Sequence, residues 1–136
     1  MDRNGKHDRI ASFPASEVWF ELRKLLSSGP FKRCPKLRNL LCFIVEEAIA
    51  GRGKRLTEYV VGVKVFGLHA NYDPRLDSRV RVEVHRLRAA LATYYDDGCR
   101  GDPVIIRLDK GSYSPIFQYR NTHANGLMDS SEEGVL

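Results

Sequence analysis

Cysteine and tryptophan are scarce in this chain, and long apolar runs are absent. Three cysteines and one tryptophan stand among 136 residues. An odd cysteine count argues against a disulfide framework, and Cys34 and Cys42 lie too far apart along a helix to bond to each other. The thiols are therefore expected to be reduced and structural. None of the four histidines supplies the paired Cys/His spacing of a zinc site. No apolar stretch approaches the roughly 18 residues of a membrane span. The opening "MDRNGKHDRIASFPAS" has no hydrophobic segment of signal type. A cytoplasmic protein with no membrane partner is the expectation. Catalytic constellations are missing too. There is no nucleophile–base pair, no glycine-rich phosphate loop and no metal-ligand set, and "GRGKR" lacks P-loop spacing. Asp73 and Asp77 flank a proline turn and serve most simply as caps. Neither an enzyme nor a metal or organic cofactor is expected.

Basic charge is what the chain does have. Net charge is +5, from 22 Lys and Arg against 17 Asp and Glu. Residues 121–136 hold three acids (Asp129, Glu132, Glu133) and no Lys or Arg, so residues 1–120 carry 22 − 14 = +8. A basic body with a short acidic tail points to a polyanionic partner, most simply nucleic acid. Residues 1–15 read as a mobile basic arm (Arg3, Lys6, Arg9). Residues 16–119 read as one folded body and 120–136 as a disordered tail.

Hydrophobic periodicity predicts four helices and a hairpin. The first helix, "EVWFELRKLLS", follows Ser16 as its N-cap. Val18, Leu22, Leu25 and Leu26 form its apolar stripe. Phe20 points away from that stripe, to meet either Phe13 of the arm or a second subunit. The second helix, "PKLRNLLCFIVEEAIAG", starts with Pro35, ends at Gly51 and presents Leu37, Leu40, Leu41, Ile44, Val45 and Ala48 to a core. After the basic loop "GRGKR", Thr57 caps a short third helix, "EYVVGVKVFG". Its apolar residues go nearly all round, which predicts burial on most sides. Gly62 in its middle predicts the close approach of another helix. A fourth helix spans 77–96. Val104–Leu108 then alternates as a strand, "DKG" makes a tight turn with Gly111 at positive φ, and Ser112–Phe117 returns, confined to an edge by Pro115.

The fourth helix contains "DSRVRVEVHRLRAALATYY". On a helical wheel Val80, Val84, Leu87, Leu91, Tyr94 and Tyr95 share one arc of about 100°. Opposite lie Arg79, Val82, Arg86 and Ala89, flanked by Arg81, His85 and Arg88. Asp77 can pair with Arg81, and Glu83 with Arg79 or Arg86, as on many solvated helices. Yet Glu83 alone cannot neutralise four arginines. A cationic rod of this size fits the major groove of B-DNA, where arginine pairs with guanine. A short helix, a turn, a long basic helix and a glycine-tipped hairpin are the parts of a winged helix-turn-helix.

These residues carry a resemblance. "SRVRVEVHRLRAAL" resembles the recognition-helix signature of OmpR/PhoB-type winged-helix regulators, V-x-V-x-[VI]-x-x-L-R-x-x-L, at Val80, Val82, Val84, Leu87, Arg88 and Leu91. "LDKGSYSPIF" is similar to their wing ending at Gly111 and Tyr113. The likeness runs over about residues 35–118 and is closest to winged-helix domains at the N-terminus of some larger bacterial regulators. The chain departs from the family in opening with helices instead of a small sheet, and regulation by a phosphorylated receiver is not carried over. The resemblance implies a mainly α fold with a small β-hairpin and a DNA interface. Ser78, Arg79, Arg81, Val82, His85 and Arg86 would face bases and flanking phosphates. Arg88 would hold a phosphate or brace the wing. Arg107, Lys110 and Ser112 would place the wing on the backbone, and Thr57, Glu58 and Tyr59 would sit near phosphates. Tyr113 belongs more simply to the wing core.

The function expected is a sequence-specific regulator of transcription, bound to double-stranded DNA in the bacterial nucleoid. The alternative is a winged-helix docking module with Trp19, Phe20, Tyr94 and Tyr95 as contact surface. An RNA-binding role lacks aromatic platforms on a sheet. A homodimer through Phe13, Trp19 and Phe20 is a further expectation; against it stands an arm folded back over Phe20.

Overall fold

Phe13 anchors the start of the folded body. Its ring lies 4.6 Å from Tyr119 and 6.2 Å from Phe117, both near the end of the chain's hairpin. The computed structural model describes residues 13–96 and 101–120. The basic arm up to residue 12, Cys99 and the acidic tail from 121 lie outside the described residues. Among the described residues five helices and two strands follow in order: α1 Ala15–Leu26, α2 Gly29–Arg33, α3 Pro35–Ile49, α4 Glu58–Lys64, α5 Arg79–Asp96, β1 Val104–Arg107 and β2 Ile116–Tyr119. A 3₁₀ turn, Gly53–Arg55, links α3 to α4. The architecture is mainly helical with one antiparallel two-stranded hairpin. No helix among the described residues is long and apolar enough to cross a membrane.

The core is the meeting of four apolar stripes. Val18, Leu22 and Leu25 of α1, Leu40, Leu41, Ile44 and Val45 of α3, Val80, Val84, Leu87 and Leu91 of α5, and Ile106 of β1 are all buried. Each such side chain contributes about 1.5–3 kcal/mol when taken from water. α3 packs along α5, α1 crosses β1, and α4 lies on α5. The short α2, absent from the sequence pattern, forms because Pro30 suits a first turn and Phe31 is fully buried.

Several local expectations are corrected. Ser16 is not the N-cap of α1. Pro14 holds that place, and its carbonyl accepts from Glu17 N (3.2 Å) and Val18 N (3.3 Å), because the ring presets φ at −58°. Phe13 packs on the hairpin instead of covering Phe20, which stays 59% exposed. Arg120 belongs to the body and not to the tail, since its amide donates to Pro103 O at 2.8 Å and its guanidinium to Asp102 O. α4 is buried on one side only, at Val61 and Gly62. The group that approaches Gly62 is the Tyr72 ring and not a helix; a Cβ there would stand 2.6 Å from Tyr72 Cε2. The return strand starts at Ile116, four residues later than the alternation suggests. Its partners are Val104↔Tyr119, Ile105↔Gln118, Ile106↔Phe117 and Arg107↔Ile116. Pro115 has no N–H for the ladder, and Ser112 and Ser114 bond to each other, so the chain loops before pairing. The turn itself is where the sequence placed it: Ser112 N donates to Asp109 O at 3.0 Å, with Gly111 at φ +82°.

A polar network inside this core joins α1, α5 and the segment leading into β1. Tyr95 Oη donates to Glu21 Oε2 (2.7 Å) and accepts from Ile106 N (3.0 Å). Tyr94 Oη donates to Asp102 Oδ2 at 2.7 Å. Lys24 Nζ lies 3.1 Å from Asp102 Oδ1 and 3.4 Å from Glu21 Oε1. Burial pushes the Glu21 carboxyl up to about 7, and the adjacent Asp102 adds to it. Burial also raises Asp102, but hydrogen bonds from Glu21, Tyr94 and Lys24 outweigh it and hold that carboxyl below its ordinary range. Glu21 is therefore the member that keeps a proton.

The sign of the consequence follows from linkage. The fold binds a proton at Glu21 that the unfolded chain releases near its ordinary value of 4.5. Stability is thus expected to fall as pH rises from about 4.5 to about 7, by about 3 kcal/mol, and to level off above. Asp102 works in the opposite sense, and only in acid below its ordinary value. Urea unfolding of wild type and Glu21→Gln between these limits is the check. The variant should lose the slope. A wild-type midpoint that does not move would show that Glu21 titrates as it does in water.

Candidate nucleic-acid interface

Helix α5 sorts its residues by the physics of its inner face. Its 18 residues make a rod of about 27 Å. Val80, Glu83, Val84, Leu87, Ala90, Leu91 and Tyr94 are buried, which leaves Arg79, Arg81, Val82, His85, Arg86 and Ala89 toward solvent. The predicted outward strip is thus formed, with Val82, 45% exposed, between its arginines. Arg88 is half-buried, and its Nε is buried without a hydrogen-bond partner. It edges a cleft between α5 and β1 and faces Tyr113. That position turns its guanidinium stem toward the hairpin.

The strip's charge is handled differently from the sequence expectation. Asp77 does not pair with Arg81. Its carboxylate takes a fork from Arg79, with Nη2 at 2.6 Å, and also caps the Arg79 amide at 3.0 Å. The hydrogen bond from Arg79 holds the Asp77 carboxyl at about 2. Arg81 Nη1 donates instead to Glu58 Oε2 (2.8 Å) and to Pro74 O (2.8 Å). The reason is geometric: the Asp73–Leu76 turn brings α4 back beside the first turn of α5. Arg86 Nη1 reaches the buried Glu83 carboxylate at 3.2 Å. Three of the four arginines therefore have acidic partners, two of which lie outside the helix. His85 has no hydrogen-bond or ion-pair partner among the described residues.

Glu58 is the junction of the site. It lies in the first turn of α4, where Thr57 Oγ1 caps the helix by accepting from Val60 N at 3.1 Å. Its carboxylate binds Arg81, so α4 and the first turn of α5 share one ion pair. Burial pushes the nearby Tyr113 hydroxyl up from its ordinary value, with the Glu58 charge adding. Its charge makes Glu58 a positioning group and a poor phosphate neighbour. Tyr59, expected near phosphate, stacks on Tyr72 and donates to Ala70 O at 2.6 Å. In the wing, Arg107 pairs with Asp109 (2.8 Å) and Gln118 (2.6 Å). Lys110 stands exposed in the turn, with no partner among the described residues, while Ser112 bonds within the loop. Ser78 is exposed at the helix start, and its carbonyl accepts from Val82 N.

Sequence reasoning missed two basic neighbours. The 3₁₀ turn carries Lys54 into the groove that Gly111–Ser114 line, because Gly53 lies against Ser114. Lys36 borders the groove beside Arg79 and Arg86. "GRGKR" signalled charge in the first case, but nothing local could say what the charge would face. Among known protein families, curated proteins and solved structures, none matches this chain.

Removing the shared carboxylate tests the junction. Glu58→Ala is expected to destabilise the fold by up to about 1 kcal/mol, because it strips Arg81 of its acidic partner. Glu58→Gln should lose less. Equal chemical-denaturation midpoints for Glu58→Ala and wild type would show that the cluster does not hold the elements together.

Proposed function

We propose that this chain is a winged helix-turn-helix module that binds double-stranded DNA and acts in transcription regulation. α4 and α5 are the helix pair, the loop between β1 and β2 is the wing, and α5 is the recognition helix. The observation that carries this reading is the outward strip Arg79–Val82–Arg86–Ala89, cationic at one end and small at the other. A helix of this size fits the major groove, where arginine reads guanine and an apolar side chain meets a thymine methyl. The acidic partners do not forbid it. Solvent-exposed pairs are worth about 0–1 kcal/mol, so a phosphate or a base edge exchanges with Asp77 or Glu58 at small cost, while the buried Glu83 holds Arg86 more firmly. Asp77, Glu58 and Glu83 then act as rests that keep the guanidinium groups extended until DNA arrives. Lys110 and Lys54 supply backbone contacts from the wing side.

The pairing of Arg79, Arg81 and Arg86 also favours a second reading. A strip so far neutralised, with Val82 at its centre, suits an interaction module that docks another protein without specific DNA binding. The salt dependence of DNA binding separates the two, because neutralising several phosphates imposes a steep slope.

Arg86→Ala is expected to weaken binding to the best site by about 1–3 kcal/mol and to relax base preference. Selection from randomised duplexes is the measurement; an unchanged preference would remove Arg86 from the readout. Lys110→Ala should weaken specific and non-specific duplexes alike and lower the salt slope by about one. If slope and affinity both stay at wild-type values, the wing does not touch DNA. A wild-type chain that binds no duplex at low salt overturns the DNA reading.

A further inference from the structure

The outer face of α1 is built like half of a symmetric contact. Phe20 stands at its centre, 59% exposed, with Trp19 beside it at 37%. Phe20 forms the wall between two grooves. One, of about 400 Å³, is walled by apolar Val104 and Tyr119 and carries Glu17, with the buried Glu21 also lining it. The other, of about 510 Å³, carries Arg23 and Lys24, the latter already paired with Asp102 in the same groove. The exposed charges are thus Glu17 on the N-terminal side of Phe20 and Arg23 on the C-terminal side, each three residues from it.

We propose that this face binds a second copy of the chain, with the two α1 helices antiparallel and the two-fold axis beside Phe20. In that arrangement the ring of each copy enters the apolar groove of the other. The Glu17 end of each helix meets the Arg23–Lys24 end of its partner, and the charge contact is made twice, as two-fold symmetry requires. A parallel pairing would set acid on acid and base on base, which opposite ends of one helix cannot relieve. A partner of one charge sign would match Glu17 or Arg23 but not both, whereas a second, antiparallel copy matches each. Self-complementarity thus selects the second copy. None of the residues of the α5 strip takes part, so the contact stands apart from the DNA reading and its test needs no DNA.

Sedimentation equilibrium of the full chain over a concentration series is the experiment, with circular dichroism to show that each variant is folded. Wild type should dimerise. Phe20→Ser should raise the dissociation constant at least about tenfold, since an aromatic side chain from each copy is no longer buried. Glu17→Arg and Arg23→Glu should each weaken self-association, and Arg23 serves better than Lys24 because Lys24 also holds Asp102. The decisive step is to mix them. The Glu17→Arg variant then offers base at both ends of α1, and the Arg23→Glu variant offers acid at both ends. An equimolar mixture should therefore form heterodimers more tightly than either variant self-associates. A monomeric wild type, an undiminished dimer in Phe20→Ser, or a mixture no tighter than its parts would each overturn the proposal.

Discussion

The Tyr95 hydroxyl is where three parts of the chain meet. It donates a hydrogen bond to Glu21 of α1 and accepts one from the Ile106 amide of β1, while its own ring rides on α5. An unpaired carboxyl in this interior would cost several kcal/mol, so the arrangement is nearly all-or-none. Tyr94, one residue earlier and turned edge-on to Tyr95, does the same for Asp102. Together the two tyrosines clamp the C-terminal end of α5 between α1 and the start of the hairpin. The rotation of α5 about its own axis is set there. Every statement about which side chains face outward at its other end depends on that setting.

At the N-terminal end the constraint is electrostatic. The chain places acids where they can hold guanidinium groups without burying them. Asp77 and Glu58 accept from Arg79 and Arg81 while those arginines remain exposed. Such pairs add little stability, but they limit the conformations of long side chains. Glu58 does more, because it joins α4 to the first turn of α5 across 23 residues of sequence.

How much was legible differs from element to element. The long helices were readable because a stripe such as Val80, Val84, Leu87 and Leu91 repeats with helical period over many residues. The Gly111 turn was readable because a positive φ has few chemical solutions. The short α2 escaped, since five residues cannot display a period and only burial of Phe31 justifies it. The return strand was placed too early because β-propensity cannot see that Ser112–Pro115 spends its hydrogen bonds locally. In the candidate site, the outward strip of α5 followed from periodicity alone. The partner of Arg81 did not, for Glu58 is 23 residues away and a turn decides whether they meet.

The sequence by itself determined the helical class, the two faces of α5, the basic excess and the position of the hairpin turn. These depend on local dihedral preference, side-chain period and summed charge, none of which requires knowing what lies across a gap. Tertiary structure alone decided that Tyr72 fills the space over Gly62, that Glu21 and Asp102 share a buried pocket, and that three arginines of α5 rest on carboxylates. It alone left Phe20 standing between a groove edged by Glu17 and one edged by Arg23. The reason is the same in each case: an interaction between residues distant in sequence has its strength set by distance, burial and dielectric, and those quantities exist only once the chain has closed on itself.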